Sequence, residues 1–584
     1  MTEDIHEPVE LYRTLFKEAH ARNTSEYFED LVRESGVDEH ANIKTVGEMR
    51  VLEQQVANVS STSMWWNVLR AVVIGIGLIC IVLFATQHEP LWLIGPVGAA
   101  ALVFVKLNPM INDVDERLRR VKQQRDEKQK EAWQQMAPLN QLYDWDIVAR
   151  LIQRTVPRLE IDPYFANGRL NELRKTFGWD DQFNQGRSVV FAHSGVLNGN
   201  PFVLAQTLYH WMGSKTYHGS LNISWTEQVR DSNGKWSTVT RHQTLHASVN
   251  KPFPEYGDRK TIIFANEAAP DLSFHRSPSK LSRLEDGMIS NWRKRHAVKQ
   301  LEAKSRDIGE GKVFTVMANR EFDALFGATD RNHEVQFRLL FTPLAQQEML
   351  NVLKDNEVGY GDDFEFTKQR MINVVEPKHM AATNLNADPT KFHAYELYHA
   401  RKHFNEYHND FFRSFFFGLA PLLVIPLYQQ HRSHANIYKD VYESSSCFWE
   451  HETIANYFGE KQFQHPDCVT RSILKTQSRA DTDGLQTVCV TAYGYKGIGR
   501  VEHVPVYGGD GRFHDVRVEW VEYLNVRSDT DMVVQDNTPL RNEGNAGQSE
   551  CESAMWQTKF QSRGVEPQNA ILRRSIVTAL LPKQ

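Results

Sequence analysis

The residue types best suited to chemistry lie on one predicted helix, within KFHAYELYHARKHFNEYHND. Its acidic and imidazole side chains project within about 80° of one another at about 100° per residue, and they are Glu396, His399, His403, Glu406 and Asp410. His399 and His403 have the i, i+4 spacing that helical metal sites use. One hypothesis is therefore a metal-dependent hydrolase with His399, His403, Glu396 and Glu406 as ligands. The competing interpretation is a polar helix face at a membrane surface, since Lys402 lies beside the pair.

Two other short motifs depart from the catalytic patterns that they resemble. His451-Glu452-Thr453-Ile454-Ala455 begins like the helix motif of zinc hydrolases, but Asn456 stands where the second His is required. His193-Ser194-Gly195 lacks the two glycines that flank a nucleophilic Ser at a strand-to-helix elbow. A structural role for the first motif and a turn at the second are predicted. No catalytic residue and no cofactor is predicted, and an enzyme is the less favoured class.

Two apolar runs organise the rest of the chain, at residues 71–86 and 91–105. With their flanking aromatic residues, each approaches the roughly 17–25 residues that cross a bilayer. Residues 87–90 leave room only for a short turn, which predicts an antiparallel pair of membrane helices. Gly95 and Ala99 lie one helical turn apart and favour close packing of the two backbones.

The distribution of Lys and Arg predicts the orientation of this pair. The turn has neither, Arg70 precedes the first run, and six basic residues follow the second, namely Lys106, Arg117, Arg119, Arg120, Lys122 and Arg125. Positive charge marks the cytoplasmic side, so both ends are expected inside. The runs contain no ionisable group at depth, which favours an anchor over a transport path.

The predicted fold class is an α+β membrane protein with mainly antiparallel sheets. The expected segments are a cytoplasmic helical region (1–64), the membrane hairpin (65–107), a charged helical stalk (108–139), an α+β domain (140–350), a His- and aromatic-rich helix with an apolar segment (351–428), and a C-terminal α+β domain (429–584).

Strand signals fill the two α+β regions. Residues 221–230 and 235–249 flank Asp231-Ser232-Asn233-Gly234, and Asn-Gly is typical of a tight hairpin turn. KVFTVMA and EVQFRLLFT predict two more strands. In the C-terminal region, turns are expected at Gly494 to Gly499 and at Gly508 to Gly511, and a final helix from about Gln568.

Residues 411–428 and the cysteines leave alternatives open. The apolar part of this segment is short and has basic residues on both sides, so it is predicted to be buried, interfacial or a third crossing. Cys447, Cys468, Cys489 and Cys551 are expected to be free thiols in a cytoplasmic region. If residues 411–428 cross the membrane, the region after them would be exported, and these four cysteines would instead form disulfides.

The net charge of −6 gives no support for a nucleic-acid partner. QTLHASVNKPFPEY, IIFANEAAPDLSFHR, REFDALFGATDRNHEVQFRLLFTP, IPLYQQHR, CFWEHETIAN and VYGGDGRFHDVRVEW resemble stretches of an uncharacterised family of bacterial membrane proteins. The resemblance implies a bacterial plasma-membrane protein with a helical hairpin and a large soluble body, and it implies no activity.

The favoured hypothesis is a multi-pass inner-membrane interaction or scaffold protein, with a cytoplasmic N-terminus and a mostly cytoplasmic body. The alternatives are the metal-dependent hydrolase and an accessory subunit of a transport or envelope complex. Expected partners are the lipid bilayer, other membrane or cytoplasmic proteins and a second copy of the chain.

Overall fold

A computed structural model of the chain describes residues 5–87, 94–230, 235–279, 281–282, 288–306, 314–430, 444–482, 485–536 and 556–581. They form two compact units. The β unit comprises the described part of residues 1–20, 148–386 and 410–584, and the helical unit comprises that of residues 21–147 and 387–409.

Thirteen α-helices are named here in chain order. They are α1 (Pro8–Leu11), α2 (Lys17–Ser35), α3 (Glu39–Gln87), α4 (Ile94–Leu102), α5 (Asn108–Asn140), α6 (Ile147–Thr155), α7 (Asn167–Phe177), α8 (Met288–Arg306), α9 (Arg320–Phe326), α10 (Glu334–Leu340), α11 (Pro343–Lys354), α12 (Leu397–Leu423) and α13 (Phe448–Phe458). Two π-helical segments, Tyr12–Phe16 and Val103–Leu107, continue α1 and α4.

The strands of the described residues pair antiparallel, in two sheets. The first consists of β1 (Leu159–Ile161), β2 (Arg187–Leu197), β3 (Asn200–Arg230), β4 (Trp236–Ala265), β5 (Ser273–Arg276), β6 (Phe364–Gln369) and β7 (Ile372–Pro377), in the order β1-β2-β3-β4-β7-β6-β5. The second consists of β8 (Ile473–Thr482), β9 (Leu485–Tyr507), β10 (Phe513–Gln535), β11 (Ile571–Arg573) and β12 (Ile576–Leu580), in the order β11-β12-β10-β9-β8. The predicted α+β class with antiparallel sheets is confirmed.

Helix α13 packs against both sheets of the β unit. Trp449 lies in a buried cluster with Val203 and Ile263 of the first sheet. One to two turns later, Ile454 lies in a second cluster with Val490 of the second sheet. The helix is therefore buried on nearly every side, which explains why its polar residues must find partners inside the protein.

The apolar segment 411–428 is also buried in the core of the β unit. Phe415 packs on Phe202 of β3 with ring centroids 5.9 Å apart. A Cβ at Gly418 would lie 2.7 Å from Ile262 Cδ1, so the glycine allows the helix to approach β4 closely. The sequence left three alternatives for this segment: buried, interfacial or a third crossing. These contacts agree with burial in a protein core.

In the helical unit, α3 and α5 run side by side. Lys128 pairs with Glu48 at 2.8 Å, and the Gln135 amide donates to Thr45 Oγ1 at 2.9 Å. Nearby, Phe404 packs on Phe28 with ring centroids 5.3 Å apart. The residues after the apolar runs thus pack along the incoming helix α3.

Two helical stretches of this unit, Glu39–Leu83 and Ile94–Asn140, are long and apolar enough to cross a membrane. Their apolar side chains are exposed: Ile79 by 61% and Val97 by 70%. A Cβ at Gly95 would lie 2.6 Å from Cys80 Sγ, and one at Gly77 would lie 3.2 Å from Ala99 Cβ. The predicted close packing at Gly95 and Ala99 is confirmed, whereas residues 88–90 of the turn lie outside the described residues.

Two strand predictions were wrong. EVQFRLL forms α10, because the His333 side chain accepts from Gln336 N as an N-cap and because Phe337 and Leu340 share the buried helix face. The described part of KVFTVMA is not a strand. Its backbone donors go to carboxylates, with Thr315 N donating to Glu334 at 2.7 Å.

The C-terminal predictions also need correction. The helix from Gln568 was wrong, since this region forms β11 and β12, and the β-branched residues Ile576, Val577 and Thr578 of β12 are buried. The turn at Gly494 to Gly499 was wrong, since β9 runs through it, whereas the turn at Gly508 to Gly511 is confirmed. Cys80, Cys447, Cys468 and Cys489 are free thiols, and Cys551 lies outside the described residues.

Candidate functional site

Two long β-hairpins of the β unit continue beyond their sheets. The β2–β3 pairing ends at Tyr209 and the β4–β7 pairing begins at Ile262. Between these points, β3 and β4 pair only with each other among the described residues. β9 and β10 likewise continue as a two-stranded ribbon beyond Tyr493. We call residues 210–230, 235–261, 494–507 and 513–531 the β-arm.

The two ribbons of the β-arm are held together by a small apolar cluster. Its buried members alternate along the strands and are Leu245, Ala247, Val249, Val516 and Val518. This period of two places them on one face of each ribbon. At Gly219 a Cβ would collide with the carbonyl oxygen of Arg517, so the backbones approach closely there. The ribbons therefore form a two-layer structure.

The first ribbon extends further than the second. The turn of the second ribbon meets it at Gly509, whose N–H donates to Gln243 Oε1 at 2.7 Å and whose Cα hydrogen faces the Trp225 ring. Beyond this level, residues 226–230 and 235–244 are mostly exposed, and Trp236 is 63% exposed. We call these residues the distal segment. A two-stranded ribbon with water on both faces is marginally stable on its own.

A cleft of about 670 Å³ lies at the base of the β-arm. Four of its twelve lining residues have aromatic rings, namely His210, Tyr256, Tyr493 and Tyr495. Its two cations are already paired, since Lys475 contacts Glu452 at 2.5 Å and Arg527 contacts Asp529 at 2.9 Å. The cleft therefore offers ring faces and hydrogen-bonding groups but little net charge.

The predicted metal ligands lie in the helical unit, where other partners hold them. Both Glu396 oxygens accept from Arg50 Nη2, at 2.6 and 2.9 Å. His399 Nε2 lies 3.3 Å from Glu396, while the His403 ring packs on Phe392. Glu406 faces Lys402 at 3.8 Å. The described residues contain no group of three or more His, Cys, Asp or Glu placed to hold a metal ion. The metal site stays a prediction that gains no geometric support.

The other two motifs are buried inside the β unit. Glu450 and Glu452 of α13 are fully buried; Arg573 Nη1 donates to Glu450 at 2.6 Å, and Val189 N donates to Glu452 at 2.8 Å. Ser194 lies within β2 rather than in a turn, and its hydroxyl donates to Asp162 at 2.7 Å. Both motifs serve structural contacts, so the predicted structural role of the first is confirmed.

The length of the β-arm was missed by sequence reasoning. The hairpin around residues 231–234 was predicted with strands of ordinary length, and the paired strands on both sides of that turn are confirmed. The turn itself lies outside the described residues. Alternation from Leu245 to Val249, and again from Val516 to Trp520, indicates strands with one buried face, but five residues are an ordinary strand length and do not reveal how far the ribbons extend.

Comparison of the chain with protein-family models, with curated proteins and with solved structures finds no match.

Proposed function

We propose that the chain is a membrane-anchored interaction protein, which the helical hairpin holds in the bacterial inner membrane and whose β-arm binds another protein. The N-terminus and most of the soluble mass lie in the cytoplasm. The orientation rests on the excess of Lys and Arg after residue 105 and their absence from residues 87–90.

The observation that carries the partner-binding part is the distal segment of the β-arm. β3 from His210 to Arg230 extends about 70 Å at about 3.3 Å per residue. At its far end Trp236 and Val239 are exposed on strands whose outer backbone groups have no further strand partner among the described residues. Exposed aromatic residues and free strand edges are features of protein-binding surfaces.

Photo-cross-linking tests this proposal in intact cells. p-Benzoyl-L-phenylalanine at Thr238 of the distal segment is expected to give a discrete adduct of higher mass. The matched control is the same probe at Val335, an exposed residue of α10 in the same β unit. Mass spectrometry of the adduct separates a soluble protein, an integral membrane subunit and a second copy of the chain. Equal labelling from both positions, or none from Thr238, would contradict the proposal.

The anchor is supported by the exposure of its apolar side chains, and a charge substitution tests it. Arg at the centre of a membrane helix costs about 2.5–3.5 kcal/mol. Ile79→Arg combined with Val97→Arg is therefore expected to move the chain into the fraction that alkaline carbonate extracts. Val51→Arg is the control, because Val51 is exposed on the same helix α3 but lies outside the apolar run. Extraction of the unaltered chain by carbonate would contradict the anchor.

A further inference from the structure

Helix α8 of the β unit carries a strong positive charge in a chain whose net charge is −6. Its six basic residues are Arg293, Lys294, Arg295, Lys299, Lys304 and Arg306, and its one acidic residue is Glu302, which gives 6 − 1 = +5. Arg293, Arg295 and Lys299 are exposed. The helix is thus a local positive surface on an otherwise acidic protein.

A cleft of about 570 Å³ lies between α8 and α9. Its charged lining consists of Arg295, Lys299, Glu302, Arg320 and Glu321, and its apolar lining consists of Val298, Ala324 and Leu325. This volume is within the range of about 300–1,000 Å³ that holds small ligands. The cleft therefore combines a cationic rim with an apolar wall.

The carboxylates of the cleft are already paired. Arg320 contacts Glu302 at 2.8 Å, and Lys354 contacts Glu321 at 2.8 Å. Arg295 and Lys299 have no ion-pair partner among the described residues, although they lie at i, i+4 on one helix face. Like charges at this spacing repel each other and destabilise a helix. An anion bound between them would remove that repulsion.

We propose that the α8–α9 cleft binds the phosphate group of an anionic phospholipid headgroup. Arg295 and Lys299 donate to the phosphate, while Val298 and Ala324, which are partly exposed, contact the carbon atoms next to it. The membrane is the source of the phosphate in this proposal, which rests on the proposed anchoring. The net charge of −6 opposes a long polyanion such as nucleic acid.

Binding of a water-soluble lipid to the full-length chain in uncharged detergent tests the site. The probe is dioctanoyl phosphatidylglycerol, compared with dioctanoyl phosphatidylcholine and with inorganic phosphate, by microscale thermophoresis at low salt. Arg295→Gln/Lys299→Gln is expected to weaken phosphatidylglycerol binding about 30-fold, at about one tenfold step per 1.4 kcal/mol and about 1 kcal/mol per cation. Raising the salt concentration is expected to weaken the wild-type binding.

The matched control is Lys461→Gln/Arg512→Gln, which removes the same charge from two exposed positions elsewhere in the β unit. It is expected to bind like the wild type. Equal affinities for phosphatidylglycerol and phosphatidylcholine, or unchanged binding in Arg295→Gln/Lys299→Gln, would overturn the proposal. If inorganic phosphate binds as tightly as the lipid, the claim that the bound phosphate belongs to a membrane lipid would be overturned. In detergent the result does not depend on the anchor, which carbonate extraction tests separately.

Discussion

Replacing Glu450 with glutamine is expected to destabilise the β unit by about 3–5 kcal/mol. Glu450 is fully buried and accepts from Arg573 Nη1 at 2.6 Å and from Phe165 N at 3.1 Å. Glutamine fills the same volume and can still accept from Phe165, so the lost quantity is the negative charge. Arg573 and Arg574, whose Nη1 atoms lie 2.6 and 3.8 Å from the Glu450 carboxylate, would both lose that negative charge. Removing one partner of a buried ion pair is strongly destabilising.

The midpoint of urea unfolding, followed by circular dichroism, measures this change. At roughly 1–3 kcal/mol per molar urea, the expected shift is a lowering by about 1–5 M. Glu227→Gln is the control, since the Glu227–Arg241 pair is about half exposed and its loss is expected to cost less than about 1 kcal/mol.

A second variant separates loss of charge from loss of shape. Glu450→Gln combined with Arg573→Met removes the nearer of the two cations together with the carboxylate, while Arg574 stays in place, and it is expected to recover at least half of the lost stability. If Glu450→Gln alone shifts the midpoint no more than Glu227→Gln, the buried pair does not hold β11 to α13 in the way that we infer.

The sequence predicted the elements whose cause is local. The apolar runs at residues 71–86 and 91–105 are long enough to predict two membrane-length helices from composition alone. The small residues Gly95 and Ala99 predicted where these helices approach each other. The strands on both sides of residues 231–234 followed from β-rich runs around Asn-Gly. In each case one short window of sequence contains the whole physical reason.

The elements that the sequence did not predict depend on distant partners. EVQFRLL has strand-like composition, yet Glu334 forms a buried pair with Arg331 and receives a hydrogen bond from Thr315 N, which places it on a helix. Residues 576–580 form a strand because β10 lies beside them, through a pairing such as Val534 with Thr578. The local pattern leaves such choices open, and tertiary contacts decide them.

For the candidate sites, too, the sequence shows the residues of one helix but not their distant partners. The face with His399 and His403 is visible in the sequence because it lies on one helix, but the Arg50 that holds Glu396 is 346 positions away in the chain. In the α8–α9 cleft, Lys354 neutralises Glu321, and no repeating pattern in the sequence predicts that ion pair. A charge count along the chain locates the basic helix, whereas the structure shows which of its cations remain unpaired.

Acid is expected to destabilise the β unit through His451 of α13. Burial lowers the pKa of His451 from 6.5 to about 4. Its Nε2 lies 2.8 Å from Ser446 Oγ, and its Nδ1 has no hydrogen-bond partner among the described residues. Between these two pKa values the unfolded chain binds the proton and the folded chain does not. Stability is therefore lost as the pH falls from about 6.5 to 4, by up to about 3 kcal/mol for this group.

His451→Gln tests this prediction because glutamine keeps a polar group beside Ser446 but does not titrate. The variant is expected to lose about 3 kcal/mol less than the wild type over that pH interval, measured from urea midpoints at pH 7 and pH 4. Burial also lowers the pKa of His193, which acts in the same direction, and raises the pKa of Glu452, which acts in the opposite one. Both groups are present in wild type and variant, so the difference between the two curves isolates His451.

His242→Gln is the matched control, because it makes the same His-to-Gln change at an exposed position of the β-arm. Parallel curves for wild type and His451→Gln would mean that α13 admits a proton at His451 without unfolding. The helix would then have to open toward solvent at Ser446, and the buried contacts of Glu450 and Glu452 would no longer account for the position of α13 between the two sheets.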